Sequence, residues 1–537
     1  MKPTASITRR RSARLVRTLA ALSLVAAAAA AAAADDTAEL ATAYVLPDFV
    51  AAAPTVPGGD AAAAWRLELG EALRLAVRHN LGVTLERESL NIARRGVDLA
   101  RAELEPTVGA TYRHGDVSAP PATSLEGGAG ELFTTVDDAV GVSYQQRFAT
   151  GLSLELDFAT GRTRSSLGTA VEPLTIRSTV GLRVTQPLLR GFSLDLEIPR
   201  LTVLRARLAS EREQRQLAIA IADVVERTER AYWDVVQALY RHDLEVRSVT
   251  HAEVQLVLTR RQIDAGVLPP SDVTGAESTL AQRQLQRVQS EQAVEQAWDR
   301  LRQVINLPRD QWSRPILTVE TPRFAPEELD DERAMAAALV HRPECAQLDL
   351  DVVAAALAVR KADNDRLPQI DLGVSGSVVG QDASYGGALD QLASVDGAGW
   401  SVFVNMTWTP LHRASAAAAE IERARARVVG AQQEQLLQTI WFEVRDAVRN
   451  QRGAGRQVIA AARFRQLAEQ NLELEARKFL NGTSSNFLVA QRQEEVAAAQ
   501  LAELGALLGH HKAAAALLHA TGLLLEERNI ELEVAAP

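Results

Sequence analysis

Sulfur is scarce in this chain: one cysteine, Cys345, and three methionines among 537 residues. A lone cysteine forms no internal disulfide, and Cys345 is too far from the N-terminus to be a lipid-attachment site. Its expected role is that of a small buried apolar residue on a helix. Three methionines make no soft cluster for copper or silver. Also missing are a glycine-rich phosphate loop, a His-Glu-x-x-His helix and any cysteine pair. No enzymatic activity, metal or cofactor is therefore expected. His510 and His511 are adjacent, and adjacent residues on a helix do not face one another, so packed or solvated roles are expected for both. His79 and His341 stand at equivalent helix ends, where a terminal charge or hydrogen bond accounts for them. Positive charge is scarce too. The formal net charge is -10, and residues 1–34 carry Lys2 and five arginines but no acid. Without them the chain is more acidic still, which excludes a basic nucleic-acid-binding face. Beyond residue 34 no apolar run is long enough for a transmembrane helix.

What is present begins with an export signal over residues 1–34. Arg9, Arg10, Arg11, Arg14 and Arg17 precede the apolar run Leu19–Val25, and an alanine tract ends before Asp35. A basic region, an apolar core and small residues at the cut are the parts of a signal peptide. Residues 35–66, rich in Ala, Pro and Gly, read as an extended lead-in.

The rest of the chain occurs twice. The stretch Glu71 through His79 to Pro106 recurs without a gap from Arg333 through His341 to Pro368. Each copy has a short helix, a longer helix, a proline, and then an alternating run. Each later has a strand ending in proline, at Pro187 and Pro410, followed by a very long helix. We place the first repeat at residues 67–326, the second at 327–525 and a tail at 526–537. Leu201 to Ala265 contains neither glycine nor proline, and as one helix it would measure about 95 Å at roughly 1.5 Å per residue. Its counterpart runs from about Ser415 to Leu480 and contains Gly430, Gly453 and Gly455, of which the last two suggest a local bend. Each long helix ends at a glycine, Gly266 or Gly482. Asp272-Val273 and Ser485-Asn486-Phe487 then open the next helix, so the chain reverses into two long hairpins.

The strands alternate. Val180, Leu182 and Val184 oppose Thr179, Arg183 and Thr185. Val402, Val404, Met406 and Trp408 oppose Ser401, Phe403, Asn405 and Thr407. The period fits a sandwich with a buried apolar face, or a membrane barrel with that face toward lipid. Few strands and long charged helices in an exported chain favour the barrel. An extra alternating pair, Val142–Phe148 and Leu152–Phe158, lies in the first repeat. Ser118–Gly130 and Gln381–Gly399, rich in Gly, Ser, Ala and Asp, are expected to be loops.

Taken in order and in duplicate, Glu71-Ala72-Leu73 with Asn80, Pro106, Pro368, Gln186-Pro187-Leu188-Leu189-Arg190-Gly191 and the two glycine-led tips resemble the TolC-like outer-membrane efflux proteins (outer membrane factors). The resemblance covers about Leu67 to Leu525. It implies an α+β membrane protein: a homotrimer whose strands form one outer-membrane β-barrel, continued by a long periplasmic α-helical barrel. It further implies a passive exit duct for efflux or type I secretion. Such a duct would dock to a periplasmic membrane-fusion adaptor and an inner-membrane pump of RND or ABC type. The docking residues it implies are Gly266, Val267, Leu268, Asp272 and Val273 at one tip, and Gly482, Thr483, Ser484, Ser485 and Phe487 at the other. Some relatives carry acids six and nine positions after the second tip glycine, at the periplasmic mouth; here those positions are Leu488 and Gln491. Family members typically carry two main strands per repeat, so the extra pair is a departure. The alternative from the residues alone is a periplasmic or surface coiled-coil structural protein with a small β domain.

Overall fold

The structure, a computed structural model, describes residues 55–57, 64–120, 132–165, 174–266, 268–325, 328–481 and 483–530. The export signal lies outside them. The chain divides into two compact units, one comprising residues 1–83, 221–342 and 440–537 and the other residues 84–220 and 343–439. Both units draw on both repeats.

The duplication is visible element for element. Helices α1 (Leu69–His79) and α2 (Leu81–Ala102) have 11 and 22 residues. Their counterparts α5 (Asp331–His341) and α6 (Pro343–Asn364) also have 11 and 22. The long helices follow, α3 at Leu201–Asp264 and α8 at Arg413–Leu480. Each is succeeded by a shorter return helix, α4 at Asp272–Ile305 and α9 at Asn486–Thr521. With no breaker before Gly266, α3 continues until that glycine takes φ +74°, a conformation that a Cβ disfavours. Helix α8 runs unbroken through Gly453 and Gly455. Helix propensity at two glycines costs only about 1 kcal/mol each, and a Cβ at Gly455 would stand in ordinary van der Waals contact with the Phe324 ring and His510. A helix of 68 residues absorbs that cost.

In the first unit the apolar stripe on α3 is buried: Ile221, Val224, Val225, Tyr232, Val235, Val236 and Leu239. Val294, Trp298, Leu301 and Ile305 of α4 and Leu504, Leu507 and Leu508 of α9 are buried in the same unit. A two-stranded parallel pair, β1 (Trp65–Leu67) with β6 (Ile316–Thr318), belongs to this core. Its last strand residue is gripped by Tyr232, whose hydroxyl donates to the Leu67 carbonyl at 3.1 Å and to Glu320. Helix α10 (Leu524–Glu527) closes the described chain.

The second unit holds one antiparallel sheet of six strands in the order β2-β3-β4-β5-β7-β8. These are β2 Thr107–Ala119, β3 Phe133–Arg147, β4 Ser153–Ser165, β5 Leu174–Pro187, β7 Gln369–Asp382 and β8 Ala398–Thr407. The extra pair is longer than its hydrophobic stretch, because the polar ends Thr134-Thr135 and Thr163-Arg164 also pair in the ladder. The segment 381–399 is not simply a loop. It contains a helix, α7 (Tyr385–Ser394), packed on β5 and β7. Ser384 caps it by accepting from the Gly387 N–H at 3.1 Å. Small residues let it lie flat, and Ala388 and the strand residue Ser178 are fully buried. Cys345 is only half-buried on α6, less enclosed than expected.

Candidate functional site

The sheet has two chemically distinct faces, and pairing carries the distinction from strand to strand. Val108 pairs with Tyr144, Tyr144 with Leu156, and Leu156 with Leu182. Leu182 is followed by Gly376 and then Trp400. The next row runs Ala110, Val142, Phe158, Val180, Val378 and Ala398. Val184, Val374 and Val402 continue the same face. Leu156, Leu182, Trp400 and Val402 are exposed although apolar. The other face carries Thr111, Ser143, Asp157, Gly181, Ser377 and their neighbours. Arg183 and Phe403 meet there, with the guanidinium 5.9 Å from the ring centroid. The ring covers Gly373, where a Cβ would lie 2.1 Å from Phe403 Cζ. An aromatic on the polar face is thus explained by the gap it fills. Past the apolar rows, at the end where α7 packs, Asp138 accepts from Arg162 at 2.7 Å and lies 2.8 Å from His114 Nδ1.

The four prolines mark passages between helix and strand. Pro106 and Pro368 immediately precede β2 and β7, Pro187 ends β5, and Pro410 lies in the turn after β8. After Pro187 the chain is held by a residue that sequence reasoning missed. Asn364, the last residue of α6, donates to the carbonyls of Leu189 (3.2 Å) and Phe192 (3.0 Å) and accepts from the Gly191 N–H at 2.8 Å. Gly191 itself has φ +83°. Arg360 on the same helix pairs with Asp195 and Glu197.

Both hairpin tips belong to the first unit. Val267 and Gly482 lie outside the described residues. At the first tip Gly266 is open to solvent, with nothing near the place of a Cβ, and the Leu268 N–H reaches back to the Gln262 carbonyl at 3.3 Å. Asp272 and Val273 open α4. At the second tip Thr483 closes α8 through its N–H and hydroxyl, both donated to the Lys478 carbonyl at 2.9 and 3.0 Å. Ser485 caps α9 by accepting from the Leu488 N–H at 3.4 Å. Ser484 donates to Glu475, and with Lys478 it holds that carboxyl below the usual range. Phe487 is 74% exposed. Leu488 and Gln491 are exposed on the opening turns of α9. The return helices are tied side by side by Arg283 and Glu494 at 2.5 Å, so the structure brings the two tips onto neighbouring hairpins.

The candidate histidines are packed. Gln451 and the His510 Nε2 lie 3.0 Å apart. His511 stacks on Trp233, ring centroids 4.5 Å apart, and its Nε2 accepts from the Arg323 N–H at 3.1 Å. Burial, with His510 beside it, pushes the His511 pKa down to about 4. The unfolded chain therefore takes up a proton near pH 6.5 that the folded chain refuses until about pH 4. The unfolded state binds more protons in that window, so this contribution to stability falls as pH falls, by about 3 kcal/mol in all. We expect His511→Gln, which keeps an acceptor but cannot titrate, to lose this part of the acid sensitivity. Denaturation midpoints of both proteins across pH 4–7 measure it; equal slopes would refute it. His519, raised by its 2.9 Å contact with Asp223, works in the opposite direction in both proteins and cancels in the comparison.

Two further apolar surfaces are exposed among the described residues. On α2, Leu85, Ile92 and Leu99 recur every seven residues and are all exposed. On α8, Ile421 and Val428 do the same. α2 leads directly into edge strand β2, and α8 follows the other edge, β8.

The family model for outer membrane efflux proteins matches residues 136–307 and 334–523. Among solved structures, the chain is similar to the outer-membrane channel OprN, with 16% identity over 90% of this chain and 96% of that one, TM-score 0.62. It is similar to the CmeC outer membrane channel of Campylobacter jejuni, with 14% identity over 87% and 90%, TM-score 0.62. It is also similar to the MtrE outer membrane channel of Neisseria gonorrhoeae, with 16% identity over 91% and 99%, TM-score 0.60. No match to a curated protein was found by sequence.

Proposed function

The chain belongs to the outer membrane efflux protein family, and from that membership we propose that it is the passive exit duct of a tripartite efflux or type I secretion system. Its place is the outer membrane, with the helical part in the periplasm. Three copies form the duct. Their sheets close one barrel in the lipid, and their helices form a tunnel below it that docks to a periplasmic adaptor and an inner-membrane pump of RND or ABC type.

The observation that carries this reading is the two-faced open sheet. Its apolar face carries exposed side chains on every strand, and its edges β2 and β8 have no pairing strand among the described residues. An open edge is not tolerated in lipid, where no water satisfies the backbone, so closure must come from other copies. The α2 and α8 stripes adjoin those same two edges, and covering them needs the same neighbours. A periplasmic coiled-coil protein with a small β domain would leave the apolar face in water.

Docking is assigned to the tips. Phe487 is an exposed aromatic at the second tip, and the small residues Gly266, Thr483, Ser484 and Ser485 leave both tips open to close approach by another helical hairpin. Phe487→Asp should abolish export, measured as drug susceptibility or cargo secretion, while leaving the amount of assembled complex unchanged, because the ring is largely exposed. Unchanged export in Phe487→Asp and in a Gly266→Trp/Phe487→Asp double variant would place the adaptor elsewhere.

A further inference from the structure

We propose that the β3–β4 hairpin is part of the membrane wall, so that three copies close a barrel of eighteen strands. This rests on the reading of the chain as a three-copy duct. Strands β2, β5, β7 and β8 are the two per repeat that the family pattern requires; alone they would give a barrel of twelve.

Three observations place the extra hairpin in the wall. First, it interrupts the expected pairing. β2 does not pair with β5; it pairs with β3 from Thr107↔Gln145 to Ala119↔Phe133, and β4 pairs with β5 from Ser153↔Thr185 to Arg164↔Leu174. A hairpin projecting from the rim would leave β2 and β5 hydrogen-bonded to each other. Second, its faces are in register with those of its neighbours. Val140, Val142, Tyr144, Leu156 and Phe158 fall on the apolar face, and Ser143 and Asp157 fall on the polar one. A slip of one residue would reverse this. Third, its strands have 15 and 13 residues, and a tilted strand crosses a bilayer in about 9–11.

The closed barrel would be about 36 Å across its backbone, against about 24 Å for twelve strands. The membrane section then selects little by size, and the duct suits bulky cargo, with selection left to the periplasmic mouth.

The test is to image the full-length complex in lipid nanodiscs by electron microscopy and to determine its mass. Three copies with eighteen strands are expected. Three copies with twelve strands and residues 133–165 outside the wall would overturn the inference and leave the duct reading standing. A water-soluble monomer would overturn the duct reading itself. Thiol labelling gives a second reading, with Ser143→Cys and Val142→Cys each placed in a Cys345→Ala background. Labelling by a membrane-impermeant reagent should be on the order of tenfold faster at position 143, because the two side chains point to opposite faces. Equal rates would overturn the proposal.

Discussion

Replacing Arg528 by alanine should cost the helical unit about 3–5 kcal/mol, the usual penalty for stranding one member of a buried ion pair. Arg528 donates through Nε and Nη2 to the two carboxylate oxygens of Glu229, at 2.9 and 2.6 Å. Glu229 is only 1% exposed on α3. Without the guanidinium its charge has neither water nor a partner. A fork-to-fork contact also fixes geometry, so lysine should not fully replace arginine here. The double variant Glu229→Leu/Arg528→Met should recover most of the loss, since an apolar pair removes the buried charge with its partner. Urea unfolding in detergent, followed by tryptophan emission, reads both. A loss below about 1 kcal/mol in Arg528→Ala would mean that the pair behaves as a surface contact. Arg528 reaches Glu229 by way of Gly522, which ends α9 at φ +75°. A Cβ there would fall 2.8 Å from the Arg342 nitrogen, so only glycine allows this close passage.

The triple variant Leu85→Glu/Ile92→Glu/Leu99→Glu should abolish assembly. The three side chains are 70%, 72% and 74% exposed in the single chain. Burying a large aliphatic side chain contributes about 1.5–3 kcal/mol, and each seam between copies would bury three from this helix alone. Glutamates would replace that gain with like charges in an apolar seam. Helix α2 itself should survive, because glutamate is a good helix former. Native-gel mass and detergent-resistant complex on membranes measure the outcome. A full yield of trimer would show that the α2 stripe faces something other than a neighbouring copy.

Much of the fold was legible because it rests on local chemistry. Helix bounds followed from runs without breakers, and the tips followed from Gly266 and the Ser and Asp residues that open the next helices. The two faces of β5 and β8 followed from alternation. Three things were not legible, each for a physical reason. Helix α7 was hidden by its composition: Tyr385-Gly386-Gly387 reads as a turn, and the Ser384 cap together with docking of Ala388 against the sheet stabilises a helix there. The reach of β3 and β4 was hidden by polar ends that pair through the backbone ladder and through hydroxyl contacts, Thr134 with Ser118 and Thr163 with Asp137. The clamp at Asn364 and the pairs of Glu229 and Tyr232 join residues far apart in sequence, which no window along the chain connects. The repeat did hold one usable signal. Asn364 ends α6 where its counterpart Ala102 ends α2, and a polar residue replacing alanine at one of two equivalent positions marks a job done once.

The near-equal lengths of the paired hairpin helices, 64 against 68 and 34 against 36 residues, have a consequence for stoichiometry. In the proposed three-copy duct, a chain built from two near-equivalent hairpins would present six tips around the mouth, in two alternating kinds. One kind, Leu268-Pro269-Pro270, is apolar and stiff; the other, Thr483-Ser484-Ser485, offers hydroxyls. A partner reading only the shared helical-hairpin shape would sit down six at a time. A partner that distinguishes proline from serine would stop at three, and the choice between those numbers is written in two short tips rather than in the long helices that carry them.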